Sequence, residues 1–467
     1  NAFARGSLDG AAEPGSPDAM TGRGSPHSDL QDRFDVAFRR LGFDGRCVLA
    51  VSGGSDSLAL MHLAARSELS HCDVLVATVD HGLRAGSAED AAFVAAAAHR
   101  LGLAHQTLAW LGDKPATGMQ AAARDARYRL LLEAAETRWP GASVTILTGH
   151  TQDDQAETVL MRLARGAGPA GLAGMAELRG LNARGQVRLA RPLLGVSRQD
   201  LRDWLRAEDI AWRDDPSNTD DRFERVRVRA ASPRLAKIGL TPAALARTAL
   251  RMRRAEEALA KAAAAALREL DPEGYAYGYA RLGTAEFARL PAELRIRALA
   301  TLVDQVGGAA PPPELGGIET LERRIADVAA SGGSLAETLG GCLIRTSATS
   351  NTITLLREPN RTCWPVLQLA PGERQIWDNR FEIVNIAAVP ITVSALGAIG
   401  KDDLFPPLSG WPVEARATWP AEQDAGAPLP ARPVGCRMIG DRGEPEAGRW
   451  GRLTARWLHT GGRKQPD

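Results

Sequence analysis

Apolar residues in the first half of the chain come in short continuous runs, each followed by a stretch with helical spacing. Cys47 to Val51 is apolar throughout and stops at a polar Gly-Gly turn, the pattern of a strand buried on both faces. Leu58, Met61 and Leu63 then recur among small residues from Ser57 onward, which suits a helix. The same reading predicts strands at Asp73–Val79, His105–Trp110, Val144–Thr148 and Val187–Leu194. It predicts helices at 29–42, at Ser87–Arg100 with Ser87 as N-cap, and at Met119–Arg138. A further helix opens within Gly149–Thr158 and continues through Ala164, and another follows Ser197 as N-cap through Leu205. Gly166 to Gly180 is glycine-rich and reads as a loop. Strands alternating with helices predict an α/β fold with a doubly wound parallel sheet, whose ligand lies at the carboxyl ends of the strands. Three polar segments stand at such ends: Ser52–Ser57, Asp80-His81 and Gly149-His150.

The pattern changes near residue 235. Thr241-Pro242 starts an Ala-rich helix that runs to about Leu270, and Leu290–Gly307 and Leu315–Ala330 also read as helices. Cys342–Thr346 and Thr352–Arg357 alternate like a hairpin around a polar turn. Residues 358–467 hold short β-like runs, many prolines and most of the tryptophans, of which Trp364, Trp377, Trp411, Trp419, Trp450 and Trp457 read as packing residues. Patterning weakens from about 420. The expected organisation is a disordered extension over 1–28, an α/β catalytic domain over 29–235, a helical domain over 236–340 and a small β-rich domain over 341–467. Residues 1–28 lack a charged segment followed by an apolar one, so no signal peptide is expected.

Composition narrows the function classes. The 467 residues are 44% hydrophobic and 24% charged, typical of a soluble globular protein, and no apolar run reaches the length of a membrane helix. The net charge of +1 gives no global case for nucleic-acid binding. Locally the balance differs: residues 188–254 hold 16 Lys and Arg against 9 Asp and Glu, a face suited to a phosphate backbone. Cys47, Cys72, Cys342, Cys363 and Cys436 are widely spaced and form no Cys-x-x-Cys. That argues against a zinc site, a Cys-ligated iron–sulfur cluster or a disulfide framework, and favours a reduced, cytoplasmic setting.

Two segments carry the candidate chemistry. Ser52-Gly53-Gly54-Ser55-Asp56-Ser57 sits between a strand and a helix start, where backbone N–H groups converge and the helix dipole favours an anion. Gly53 and Gly54 permit positive φ and close approach of a phosphate, and the serines add hydroxyl donors. No Walker lysine follows the glycines. Asp56 would repel a phosphate unless a cation lies between, and a bridging Mg²⁺ would account for it. The second segment is Gly149 to Thr158. His150, Asp154 and Glu157 follow an i, i+4, i+7 spacing, so one helical face would present an imidazole and two carboxylates.

Ser-Gly-Gly-x-Asp-Ser after an apolar strand resembles the PP-loop of ATP pyrophosphatases, which release pyrophosphate and leave AMP on the substrate. The whole set resembles the tRNA(Ile)-lysidine synthases of the N-type PP-loop family. The residues carrying that likeness are Val51–Ser57, Asp80-His81-Gly82-Leu83-Arg84, Ala123-Arg124-Asp125-Ala126-Arg127-Tyr128, Gly149–Thr158 with Arg165–Gly168 and Gly171-Leu172, Arg191-Pro192-Leu193-Leu194 and Asp215-Pro216-Ser217-Asn218. Leu290-Pro291 with Arg295 and Arg297, and Thr338–Gly341, extend it weakly into the second half. Val226, within Arg225–Arg229, stands where the family usually has Asn.

The resemblance implies a PP-loop, adenine nucleotide α-hydrolase-like fold and ATP-dependent addition of L-lysine to C2 of the wobble cytidine of tRNA(Ile) with anticodon CAU. It implies that Ser52, Gly53, Gly54, Ser55, Asp56, Ser57 and His81 bind ATP, and that Asp56 and Asp154 hold Mg²⁺. His150 would contact the α-phosphate or act as acid or base beside it, with Asp154 and Glu157 pairing with the lysine α-ammonium. Arg227 is the candidate for contact with the α-phosphate or the tRNA, and residues after 235 would grip the tRNA body. The oligomeric state, a homodimer among the options, is not given by the sequence. Two rival readings are a PP-loop tRNA cytidine thiolase, which would need cysteines at the strand ends, and a non-catalytic adenine-nucleotide sensor, which would not need His150 and Asp154.

Overall fold

The structure is a computed structural model. It describes residues 26–467 except 44, 68–71, 84–85, 113, 116, 183–184, 215–221, 272–277, 310, 360–363, 386–387, 398–411, 424–431, 434, 438–452 and 458–467. Residues 1–25 of the expected disordered extension, Arg84, most of the Asp-Asp-Pro-Ser-Asn turn, Cys363, Trp411 and Trp450 lie outside the described residues, while residues 26–28, expected to be disordered, belong to the first helix.

The chain divides into two compact units, 1–249 and 250–467. The first unit is built from α1 (Pro26–Leu41), β1 (Arg46–Ala50), α2 (Ser55–Arg66), β2 (Asp73–Asp80), α3 (Ser87–Arg100), β3 (Ala104–Ala109), α4 (Met119–Arg138), β4 (Val144–Thr148), α5 (Gln152–Ala164), α6 (Pro169–Leu172), β5 (Leu178–Gly180), β6 (Val187–Ala190), α7 (Arg198–Ala207), α8 (Glu224–Lys237) and the start of α9 (Pro242–Leu270). The six strands run in the order β3-β2-β1-β4-β6-β5. All neighbours are parallel except β5, which closes the edge antiparallel to β6. Every residue of β4 is buried, as are the three central residues of β1, so these strands read as unbroken apolar runs. One face of the sheet packs Leu49, Leu147 and Ala190 against Leu58, Leu60 and Phe34. The other packs Val48, Ile146 and Leu189 against Leu131 and Ala135 of α4.

The strand order reverses between β1 and β4, which are hydrogen-bonded neighbours although two strands intervene in sequence. That is the topological switch point of a doubly wound sheet, where the crevice for a ligand opens beyond the carboxyl ends. The segment after β1 is Val51–Gly54 and the segment after β4 is Gly149–Thr151, so the fold delivers both candidate motifs to one place.

Several boundaries differ from the sequence expectation. Ser87 lies inside α3 and does not cap it; Gly86 holds the N-cap position, while the Ser87 hydroxyl hydrogen-bonds Asp80 at the end of β2. The stretch expected as a loop over 166–180 contains α6 and the edge strand β5. Ser197 does cap α7, its Oγ accepting from Asp200 N at 3.1 Å, and Thr241 Oγ1 accepts from Ala244 N at 3.1 Å at the start of α9.

In the second unit, strands 279–283, 342–347 and 352–357 join 335–339 in an antiparallel sheet, with 342–347 and 352–357 forming the expected hairpin. Helices Ala292–Gly307 and Leu315–Ser331 pack Leu299, Leu302, Leu321 and Ile325 with Ile344, Ile353 and Leu355 of that sheet. Beyond it come two further four-stranded sheets, consistent with the β-rich composition. Trp377 and Trp419 lie in the core of this part with Phe381, as packing residues. No helix among the described residues is long and apolar enough to cross a membrane.

Candidate functional site

Gly53 adopts φ +90°, a conformation open to glycine at little cost, while Gly54 has φ −74° and serves as the N-cap of α2. The expected positive φ is therefore confined to Gly53. Ser57 Oγ accepts from Ser52 N at 3.1 Å and donates to Gly54 O at 3.0 Å, which ties the loop to the first turn of α2. Ser55 Oγ donates to Asp56 Oδ1 at 2.9 Å. From the other side Arg213 N donates to Gly53 O at 2.9 Å, and Arg202 Nε lies 3.4 Å from Ser55 Oγ.

The strand-end segments touch directly. A Cβ on Gly149 would lie 2.7 Å from Asp56 O, so only glycine lets β4 deliver its loop this close to the first turn of α2. Thr151 then caps α5. Its side chain accepts from Asp154 N while Asp154 Oδ2 accepts from Thr151 N at 2.9 Å, a capping box with Asp in the reciprocal position. His150 thus stands outside α5, before its N-cap. The expected single helical face of His150, Asp154 and Glu157 is replaced by a loop imidazole followed by two helical carboxylates. The Thr-x-x-Asp cap inside the motif starts the helix at Gln152, so helical spacing does not reach back to His150.

Asp154 and Glu157 are buried, and Asp56 is partly buried. A single side chain joins them. Arg198, at the first helical position of α7, places Nε 3.0 Å from Asp56 Oδ2, Nη2 3.1 Å from Asp154 Oδ1 and Nη1 3.5 Å from Glu157 Oε1. Glu157, with only 4% of its side chain exposed, also receives Arg229 Nε at 2.8 Å and Arg225 Nε at 3.2 Å from α8. The helical period puts Arg225 and Arg229 on the face of α8 toward Glu157. Arg227, off that face, is exposed and donates through Nη1 to Arg222 O at 2.9 Å. His81, at the end of β2, meets the Trp110 ring edge-on at 5.8 Å, and its buried Nδ1 has no hydrogen-bond partner among the described residues.

Burial raises the Asp56 carboxyl above its ordinary range, with Arg198 working against it. Burial pushes Asp154 the same way, yet the charges of Arg198 and Arg225 and the hydrogen bond from Thr151 N outweigh it and hold this carboxyl below its ordinary value. The two acids are thereby driven apart in acidity. His150, whose Nδ1 lies 2.8 Å from Thr148 Oγ1, is pulled down to about 3 by burial and by Arg191, so its imidazole is neutral near pH 7. The unfolded chain therefore takes up this proton before the folded one. Stability owed to the neutral ring is complete above pH 6.5 and is lost as pH falls from 6.5 toward about 3. Asp56 opposes this in the lower part of the window, since its folded form protonates more readily than the unfolded one. Urea midpoints measured between pH 7 and pH 4 should fall more steeply for the wild type than for His150→Gln; parallel curves would show that His150 carries no such linkage.

The residues fit a divalent cation in one respect. Asp56 Oδ2 and Asp154 Oδ1 face the same point, because one guanidinium reaches both, and hard carboxylate oxygens are the donors Mg²⁺ takes. Among the described residues no group of three or more His, Cys, Asp or Glu is arranged to hold a metal. An ion here would rest on these two carboxylates, waters and phosphate oxygens.

The PP-loop domain family ATP_bind_3 matches residues 27–235. A tRNA(Ile)-lysidine synthase from Methylobacterium nodulans is 49% identical over 68% of this chain and 92% of its own length. Another from Ruegeria pomeroyi is 40% identical over 88% of this chain and 92% of its own. The chain belongs to the tRNA(Ile)-lysidine synthase family. Membership in this family makes the PP-loop domain an ATP-binding domain. Within the tRNA(Ile)-lysidine synthase framework, the residues missed by sequence reasoning are Arg198 and Arg202, whose side chains reach Asp56 and Ser55, and Arg213, whose backbone N–H holds Gly53 O while its guanidinium pairs with Asp90. Arg198 alone left a signal: a basic residue in the first turn of a helix opposes the helix dipole, so something outside the helix has to hold it there.

Proposed function

We propose that the chain is an ATP-dependent ligase that joins L-lysine to C2 of the wobble cytidine of tRNA(Ile) with anticodon CAU. The C2 carbonyl oxygen of that base attacks the α-phosphorus of ATP, and pyrophosphate leaves. The free amine of lysine then attacks C2, and the C2–O bond breaks with AMP as the leaving group, giving lysidine. Adenylation is needed because the base carbonyl is a poor electrophile and its oxygen a poor leaving group. The observation that carries this reading is the meeting of Ser52–Ser57 with Gly149–Glu157 at the switch point, with Asp56 and Asp154 both reached by one guanidinium.

In this reading Gly53, Gly54 and the first turn of α2 receive the pyrophosphate end of ATP, with Ser52, Ser55 and Ser57 as hydroxyl donors. Asp56 and Asp154 would hold Mg²⁺, whose charge supplies neutralisation of the leaving pyrophosphate. His150, neutral and fixed through Nδ1 by Thr148, would contact the α-phosphate or act as acid or base beside it. His81, at the adjacent strand end, would contact the nucleotide. Asp154 and Glu157 supply the negative charge that a cationic amino acid needs, and Glu157 can do so only by giving up part of its pairing with Arg198, Arg225 and Arg229. Arg227, exposed on α8, would meet a phosphate of ATP or tRNA, and residues after 235 would grip the tRNA body. The setting is the cytoplasm, where tRNA is available.

A thiolase reading has less support. Cys47 and Cys342 are buried and Cys72 precedes β2, so none of these lies at a carboxyl end of the sheet. The function is tested with ATP, labelled lysine and tRNA(Ile) transcripts: label should enter only the transcript with anticodon CAU, and label entering a transcript without that cytidine, or none at all, would contradict it.

A further inference from the structure

The position toward which Asp56, Asp154 and Glu157 converge is filled by a side chain of the protein itself. Arg198 contacts all three acids through three different nitrogens, Nε, Nη2 and Nη1. With no single acid does it form the two-pronged pair that locks guanidinium to carboxylate. Its backbone is fixed independently, because Arg198 N donates to Asp153 Oδ2 at 2.8 Å and Ser197 caps the same helix turn. The side chain can therefore rotate about an anchored backbone without α7 moving. Arg198 also stands where the dipole of α7 disfavours a cation, so its placement depends on the acids rather than on its own helix.

Three carboxylates this close repel one another unless a cation lies among them. In the proposed reaction Mg²⁺ and the lysine ammonium supply that charge. A divalent ion and a guanidinium competing for Asp56 Oδ2 and Asp154 Oδ1 also repel each other, and they cannot both make first contact with the same two oxygens. We propose that Arg198 is a built-in occupant of the cation site, a latch that neutralises Asp56, Asp154 and Glu157 in the unliganded enzyme and swings out when Mg²⁺ or the lysine ammonium enters. The exchange keeps the buried acids neutralised throughout. It also makes cation entry the event that frees Asp56 and Asp154. The inference rests on the proposed reaction for the identity of the incoming cations, but its test needs neither tRNA nor turnover.

The test is direct binding of Mn²⁺, as a spectroscopic stand-in for Mg²⁺, to the full chain without nucleotide, followed by the electron paramagnetic resonance of the free ion. Arg198→Gln should bind Mn²⁺ about tenfold tighter than wild type or better, because a resident like charge has been removed from a partly buried site. Adding Asp154→Asn to that variant should cancel the gain. Arg198→Lys carries a shorter, compact charge that cannot reach three acids at once, so it should gain about threefold. Circular dichroism melts establish which variants fold, and Arg198→Lys decides the matter if Arg198→Gln does not. Unchanged or weaker Mn²⁺ affinity in the folded variants, or a gain that survives Asp154→Asn, overturns the latch. Lysine transfer by a wild type whose Arg198 variants show no gain would leave the proposed reaction standing and remove only the latch.

Discussion

Asp154→Asn is expected to lower pyrophosphate release from ATP in the presence of tRNA(Ile) by about 10²–10³-fold, the usual cost of removing one preorganised electrostatic contact to a developing charge. Asn keeps the shape and can still accept from Thr151 N through its amide oxygen, so the α5 cap should survive. What is lost is the charge facing Arg198 and the proposed cation position. Affinity for tRNA should stay within a few-fold of wild type, because the basic residues of α8 and the second unit are untouched. The measurement is a paired one, pyrophosphate release beside filter binding of tRNA. A variant that loses tRNA affinity and pyrophosphate release together would show that Asp154 organises the tRNA surface rather than the chemistry.

The second large effect concerns stability rather than catalysis. Within the second unit Asp378 sits between two fully buried arginines: its Oδ1 lies 2.7 Å from Arg357 Nη2 and its Oδ2 lies 2.6 Å from Arg380 Nε. Arg357 continues to Gly341 O at 3.0 Å and Arg380 to Thr418 O at 2.7 Å, so the acid links three segments distant in sequence. Burial already pulls the Arg380 guanidinium down to about 10, against the opposing charge of Asp378. Asp378 has φ +51°, which Asn tolerates, so Asp378→Asn removes the charge without straining the turn. Leaving two buried cations without their shared anion should cost about 3–5 kcal/mol. Urea denaturation followed by tryptophan fluorescence reads this directly, since Trp377 and Trp419 lie in the same core. A loss below about 1 kcal/mol, the range of an exposed pair, would mean that solvent reaches these arginines.

What could be read from the sequence follows from the range over which each feature is determined. β1 and β4 were legible because a strand covered on both faces has to be apolar at every position. The placement of their two motifs beside each other followed from the alternation of strands and helices, which fixes where the crevice opens. The start of α5 is set by the Thr-x-x-Asp cap, a local signal in the sequence that overrides the i, i+4, i+7 spacing from His150. The cations around the loop were not legible. Arg198 lies well over a hundred residues from Asp56, and only the packing of α7 beside α2 brings them within 3.0 Å. In the second unit the hairpin of 342–347 and 352–357 was local and readable, whereas the pairing of 381–385 with 453–457 joins segments that no short-range pattern relates. The same holds for Arg357, Asp378 and Arg380, whose role depends on burial that neither charge nor spacing reveals.

In the proposed function Ser52–Ser57 and Asp154 together form a centre that adenylates a tRNA cytidine and lets lysine displace AMP at its C2. The most direct measurement is transfer of labelled lysine, with ATP, to tRNA(Ile) transcripts that differ only at the wobble position. Label confined to the transcript with anticodon CAU, appearing in step with AMP and pyrophosphate, is the expected result. Nucleotide hydrolysis without label in that transcript, or equal label when the wobble cytidine is replaced, would contradict it.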